Sequence, residues 1–227
     1  MIRRILWVLV ALSVSVAAAA SEPQEDLPRF SDSVQVIDDG PILFPVDFDR
    51  KVLVRFPVGE LDIIAGDVAE VRTDLRVRCK KLSEALCTKY RSKLRLEARD
   101  RDGQVEVRLV GLPRWKLRKL NLDGEVTFPR WAPLDVRMGI GDIDIYAGEK
   151  DLNVRMGIGD LTVRVPEAQV GTVRAATRIG DASIRGANRA IGKRRMLIGA
   201  SVDWSEGTGP MNIALGLRIG DASVVLE

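Results

Sequence analysis

The chain has 227 residues, 46% hydrophobic and 30% charged, with 35 Lys and Arg, 32 Asp and Glu and no histidine. That size and balance give a folded protein with a sizeable core. With the first twenty residues set aside, 33 basic residues face 32 acidic ones, a formal charge of +1, and the electrostatic case for a nucleic-acid partner disappears.

Residues 1–20 read as a secretory signal peptide. Arg3 and Arg4 make a basic start, a mostly apolar run follows from Ile5 to Val16, and Ala17–Ala20 is small-residue cleavage ground. The apolar part is short of the roughly 20 residues a membrane span needs, so no span is expected after cleavage. Ser21 rather than Cys follows the cleavage point, which argues against a lipid anchor on the new N-terminus. Residues 21–33 are polar and proline-containing and read as a flexible leader. The expected location is therefore periplasmic or extracellular.

Strand-like alternation then dominates, in Lys51–Ile64 and again in Val71–Arg78. Cys79–Lys93 breaks it, because Leu82, Ala85, Leu86 and Tyr90 recur at helical spacing and predict one short helix. Cys79 and Cys87 are the only cysteines, and in an exported chain they read as a local disulfide. Eight residues of continuous helix span about 12 Å, beyond the roughly 7 Å a bridge tolerates, so a turn or broken helix must lie between them. The competing reading is two buried free thiols. Further on, Asp102-Gly103 and Asp123-Gly124 each separate two strand-like runs and predict hairpins or tight corners. PRWKLRKL, Pro113–Leu120, reads as a strand with a basic wet face; Arg114, Trp115, Lys116, Arg118 and Lys119 are the candidates there for contact with an anionic envelope polymer or lipid. GKRRM, Gly192–Met196, is a second basic stretch.

From Val136 onward the chain is periodic. VRMGIGD at Val136–Asp142 returns unchanged at Val154–Asp160, and glycines preceded by isoleucine fall at Gly141, Gly159, Gly180, Gly199 and Gly220, in steps of 18, 21, 19 and 21 residues. The preceding residues are Ile140, Ile158, Ile179, Ile198 and Ile219; the following ones are Asp142, Asp160, Asp181, Ala200 and Asp221. The fourth copy is degenerate. A period near 20 with strand alternation predicts an all-β chain built as a single β-solenoid, with rungs about 4.8 Å apart, the isoleucines stacked in an internal ladder and the glycines at corners. An earlier copy, VRFPVGELDIIAG at Val54–Gly66, matches VRMGIGDIDIYAG in character at every position. Gly59 and Gly141 are 82 residues apart, about four periods, so the middle of the chain could hold divergent rungs with the cysteine segment bulging out as an insertion. One continuous body is expected, with residues 34–135 as an N-terminal β region carrying that insertion and residues 136–227 as the regular repeats; a separate N-terminal β-sandwich is the alternative.

These recurring I-G-D-I-x-I and I-G-D-L-x-V phrases, the VGELDII copy and the signal peptide together resemble the exported bacterial β-repeat proteins grouped as putative adhesins, whose domain is otherwise described as one of unknown function. The likeness covers Val52–Glu227. It implies an envelope β-solenoid with no established catalytic residues, and the cysteine segment departs from its plain repeat.

Chemistry is sparse. Aligning Gly139 and Gly141 on the calcium-binding nonapeptide G-G-x-G-x-D-x-U-x puts Ile143 where its Asp belongs, and the second copy fails likewise at Leu161. Asp142, Asp160, Asp181 and Asp221 read instead as a solvated charge ladder, with Arg137, Arg155, Arg178 and Arg218 near enough to offset it. Asp142 and Asp160 could stack at the roughly 5 Å of a retaining glycosidase, but nothing suggests the burial that raises an acid's pKa or loops that wall a cleft. No histidine means no Ser-His or Cys-His pair, and no G-x-S-x-G elbow occurs. Expected, then, is a non-enzymatic binding or structural module without cofactor or metal. A carbohydrate-active enzyme and an envelope-stress signalling partner are the alternatives. Because the chain ends on LRIGDASVVLE, the last rung is expected to be an open end for self-association near Leu215–Leu226.

Overall fold

The computed structural model describes residues 32–36, 40–186, 189–196 and 199–227. The expected signal peptide, most of the expected leader, and Ile198 lie outside these residues. In chain order come β1 (Asp32–Val36), β2 (Ile42–Pro45), β3 (Lys51–Gly66), β4 (Glu70–Cys79), helix α1 (Glu84–Arg91), β5 (Arg95–Arg101) and β6 (Gln104–Val110). A four-residue helix α2 (Arg114–Leu117) precedes β7 (Leu120–Pro129), β8 (Leu134–Tyr146), β9 (Leu152–Ile158) and β10 (Leu161–Val165). The chain closes with β11 (Val170–Gly186), β12 (Arg189–Met196), β13 (Ala200–Trp204), β14 (Met211–Ile219) and β15 (Ala222–Leu226). Strand β1 takes in Asp32 and Ser33, which the sequence assigned to the leader.

All fifteen strands belong to one mixed sheet. The long strands β3, β8 and β11 run through a corner glycine, and on either side of it the pairing forms two arms. In the first arm the order is β1-β5-β6-β3-β8-β9-β14-β11-β13. The second arm runs β2-β4-β7-β3-β8-β10-β15-β11-β12. Pairing is parallel from β6 and β7 through to β11 and antiparallel beyond them at both ends. Each parallel layer thus contributes one strand segment to each arm.

The early copy matches in register, with Val54 pairing Val136, Val58 pairing Ile140, Gly59 pairing Gly141 and Ile63 pairing Ile145, but β3 lies directly beside β8, so no divergent rungs are stacked between the two copies. In the first arm, Val107, Val54, Val136, Val154, Leu215 and Ala175 form one buried row across the strands. Ile63, Ile145, Val163, Val224 and Ile184 form the matching row of the second arm, each 0% exposed. Both rows belong to a single buried cluster, so the two arms turn their apolar faces to one core. Fully burying each such side chain is worth about 1.5–3 kcal/mol.

Several expectations are corrected here. The uniform coil, each rung on its predecessor, is replaced by a mixed sheet whose layers leave chain order. Strand β14 is paired on both sides, with β9 and β11, and β15 with β10 and β11. The C-terminal segment is therefore interior and offers no open edge for self-association. The degenerate fourth copy is not a rung of the same sense: β12 and β13 run antiparallel along β11, with Gly199 between them. Among the described strands β12, RAIGKRRM, pairs β11 alone, with a register shift between Ile184 and Arg185.

Asp102-Gly103 makes the expected hairpin turn, with φ of 52° and 77°, between antiparallel β5 and β6. Asp123-Gly124 does not, and lies inside β7, because a side chain at Gly124 would meet Leu61, Phe56 and Leu75 of the core. PRWKLRKL is no strand either. Its residues Arg114–Leu117 form α2, which carries the chain from β6 to β7 where the neighbouring layers use a glycine corner.

Cys79 and Cys87 are joined by a disulfide with Cα atoms 5.9 Å apart. Lys81, at φ 49°, supplies the bend between them, and α1 begins at Glu84. The bridge closes the β4-to-β5 connection and packs α1 through buried Tyr90. Replacing both cysteines by serine should lower unfolding stability by about 2 kcal/mol through the lost loop constraint. Denaturation of the double variant, with the reduced parent as reference, checks this.

Candidate functional site at the corner

At each corner the inward alternation slips by one residue. Val136 and Met138 face the core, Ile143 and Ile145 face it again, and the interval from Met138 to Ile143 is odd. The same slip separates Met156 from Leu161, Leu217 from Ala222 and Phe56 from Leu61. Ile140, Ile158, Ile219 and Ile179 sit in the slip, on the outside of the bend. They are 37%, 43%, 43% and 47% exposed. The expected internal isoleucine ladder is thus overturned: the isoleucines do stack in register, but as an external ridge.

Gly141, Gly159, Gly220 and Gly180 adopt φ between 125° and 140°, a region L side chains rarely enter. Space forbids a side chain as well. A Cβ on Gly141 would stand 1.6 Å from the Gly59 carbonyl oxygen, one on Gly159 1.6 Å from that of Gly141, and one on Gly220 1.8 Å from that of Gly159. Gly199 has φ 78° and open space around it, as befits a turn between antiparallel strands.

The aspartates serve the backbone. Asp160 N–H donates to Asp142 Oδ1 at 3.1 Å, Asp221 N–H to Asp160 Oδ1 at 3.2 Å, and Asp181 N–H to Asp221 Oδ1 at 2.8 Å. Each carboxylate accepts from a corner N–H of the next layer. The arginines expected to offset these acids do not pair with them. Among the described residues no carboxylate lies within 4 Å of Arg137, Arg155, Arg178 or Arg218. On the second arm Arg164 bonds Asp144 at 2.9 Å, and that hydrogen bond raises the Arg164 pKa further.

On β6, β3, β8 and β9 of the first arm one outward row is basic. Arg108, Arg55, Arg137 and Arg155 occupy one register row on four adjacent strands. Arg108 is held by Glu97 at 2.7 Å and Arg55 by Glu106 at 2.9 Å. Between this row and the isoleucine ridge runs a groove floored by Pro57, Gly139 and Gly157. Two adjoining cavities of about 440 and 540 Å³ make up the groove, sharing Pro57, Arg114, Met138 and Gly139. Arg114 of α2 stands where the two cavities adjoin, and Arg218 lines the second.

Of the remaining candidates, Trp115 is 62% exposed, with the Lys116 ammonium 4.9 Å from its ring centre and 5.7 Å from that of Tyr90. Arg118 and Lys119 are exposed beyond α2, away from the groove lining. Sequence reasoning missed Arg55 and Arg108. The signal was the exact return of VRMG, because arginine and glycine at fixed offsets before the corner place a charge beside a bare floor.

No protein-family model matches the chain, and no curated protein does. Among solved structures, the 1.95 Å crystal structure of a putative cell adhesion protein from Clostridium sporogenes ATCC 15579 is similar, with a TM-score of 0.49 and 13% identity over 82% of this chain and 99% of that one. At that score the likeness carries no argument about function.

Two substitutions separate the corner's requirements. Gly159→Ala should cost more than the about 1–3 kcal/mol of backbone strain alone, because it adds the carbonyl overlap, whereas Gly199→Ala should cost only about 1–2 kcal/mol; chemical denaturation of both variants reads the gap. Asp160→Ala should lose about 0.5–1.5 kcal/mol by removing the acceptor for Asp221 N–H, and Asp160→Asn, which keeps an oxygen, should recover most of it in the same measurement.

Proposed function

We propose that the chain is an exported, non-enzymatic protein of the cell envelope that works as a rigid binding module. The parallel layers from β7 to β11 act as a short solenoid-like scaffold, and the corner displays one residue type per layer at the strand spacing of about 4.8 Å. Export is supported by the first twenty residues and by the Cys79–Cys87 disulfide, which suits an oxidising compartment.

The observation that carries the reading is the exposed isoleucine ridge. A contiguous apolar stripe on an otherwise charged surface marks a contact site. The corner carboxylates support a non-enzymatic role, since Asp142 and Asp160 are exposed and each is occupied as acceptor of a backbone N–H of the next layer. Repeated weak contacts along the ridge would add through multivalency.

Expression of the full chain in a bacterial host should yield a periplasmic protein that begins at Ser21 by mass spectrometry, with its cysteines oxidised. The mature protein, immobilised, should retain a component of envelope extract. Ile158→Asp should abolish that retention while stability falls by no more than about 1 kcal/mol. A cytoplasmic, uncleaved chain, or a mature protein that retains nothing, would refute the reading.

A further inference from the structure

This inference rests on the binding role proposed above and names the chemistry of the ligand. We propose that the first-arm groove binds a linear acidic polysaccharide, laid across the layers with its carboxylates on the arginine row and the apolar faces of its sugar rings against the isoleucine ridge.

The first argument is charge. Like charges side by side on neighbouring strands oppose sheet formation. At about 4.8 Å in water a pair repels by about 1 kcal/mol. The fold relieves this at Arg108 and Arg55 with Glu97 and the largely buried Glu106, yet leaves Arg137 and Arg155 beside them without a carboxylate among the described residues. Arg114, shared by the two cavities, and Arg218 are likewise without one among the described residues. No acidic residue lines either cavity. An anionic ligand would complete the row, and arginine suits it because its planar fork meets a carboxylate with two parallel bonds.

The second argument is shape. Pro57, Gly139 and Gly157 leave the floor free of projecting side chains, so a flat ring can approach the backbone. Ile140, Ile158 and Ile219 form a wall on one side only. An acyl chain there would keep much of its surface in water, whereas a sugar ring has one apolar C–H face and a hydrophilic rim. A lipid also carries its charge at one end, while the arginines repeat across the four adjacent strands β6, β3, β8 and β9, at a spacing close to the length of one sugar unit. Single-stranded nucleic acid would use exposed aromatic platforms, and none lines the groove.

The test uses the mature full chain and defined probes: polygalacturonate, neutral dextran, and phosphatidylglycerol vesicles, in binding titrations at low and high salt. Polygalacturonate should bind and dextran should not, and the binding should weaken as salt rises. The double variant R137E/R155E should lose about tenfold or more in affinity, the loss of one charge-assisted hydrogen bond being enough for that. Arg72→Glu, an exposed change on the second arm, should leave it unaltered. Equal binding of dextran, binding of vesicles but not of polygalacturonate, a dimer in light scattering that R137E/R155E dissolves, or no binding to any probe would each overturn the assignment. Envelope extract that is retained by the parent and by R137E/R155E alike would overturn the polysaccharide and leave the binding role standing; a parent that retains nothing removes both.

Discussion

The backbone carbonyl of one corner glycine presses against the α-carbon of the next, and the rest of the molecule is arranged around that contact. Because Gly141 sits on Gly59, Gly159 on Gly141 and Gly220 on Gly159, no layer can slide along its neighbour without driving a side chain into a carbonyl. Register in a parallel sheet with one buried face is otherwise set only by the apolar pattern. Here a second, steric key fixes it. The aspartate after each glycine accepts from the backbone N–H of the aspartate in the next layer. Glycine and aspartate are thus two halves of one solution to bending a strand between two arms.

The bend also decides what faces outward. A strand that turned without a slip would carry its isoleucine into the core. The odd interval across the corner places Ile140, Ile158, Ile219 and Ile179 on the convex side instead, beside a floor of small residues and a row of arginines. The ridge is therefore a consequence of how the corner is made, and its apolar composition is a separate choice, because the corner geometry asks only for the glycine and the acid.

Much of this was legible in the chain. The likeness of Val54–Gly66 to Val136–Gly148 could be written down from residue character alone, although their direct pairing could not, since 82 residues separate the two corner glycines and the repeat filled that interval with divergent rungs. The helix and disulfide followed from spacing and from an expected oxidising compartment. Burial of the isoleucines could not be read correctly, since alternation gives a face only while the phase holds, and a phase slip leaves no mark in a single copy. Layer order was hidden for another reason: β14 and β15 carry the same repeat as their neighbours and fit between β9–β10 and β11 as well as at an end. Copies that are alike in pattern do not encode their sequence of stacking. Asp123-Gly124 failed because a turn-like pair can also be a strand glycine required by large neighbours, here Leu61 and Phe56.

Separating what the fold requires from what it tolerates narrows the function. Gly141 and Asp142 are accounted for by sterics and by a backbone N–H, so their recurrence says nothing about a ligand. Val136 and Met138 are accounted for by the core. Gly139 is accounted for by sterics too, since a Cβ there would stand 2.2 Å from the Pro57 carbonyl oxygen. Arg137 and Ile140 are the remainder of the repeated phrase, and neither is required by packing: the arginine stands beside another arginine without an acid among the described residues, and the isoleucine leaves over a third of its surface in water. A chain that repeats both in successive layers keeps an electrostatic and a hydrophobic cost that an uncharged polar residue at either place would remove. Their alignment along one groove, opposite one another across a bare floor, is what makes that cost intelligible as a surface held ready for a partner.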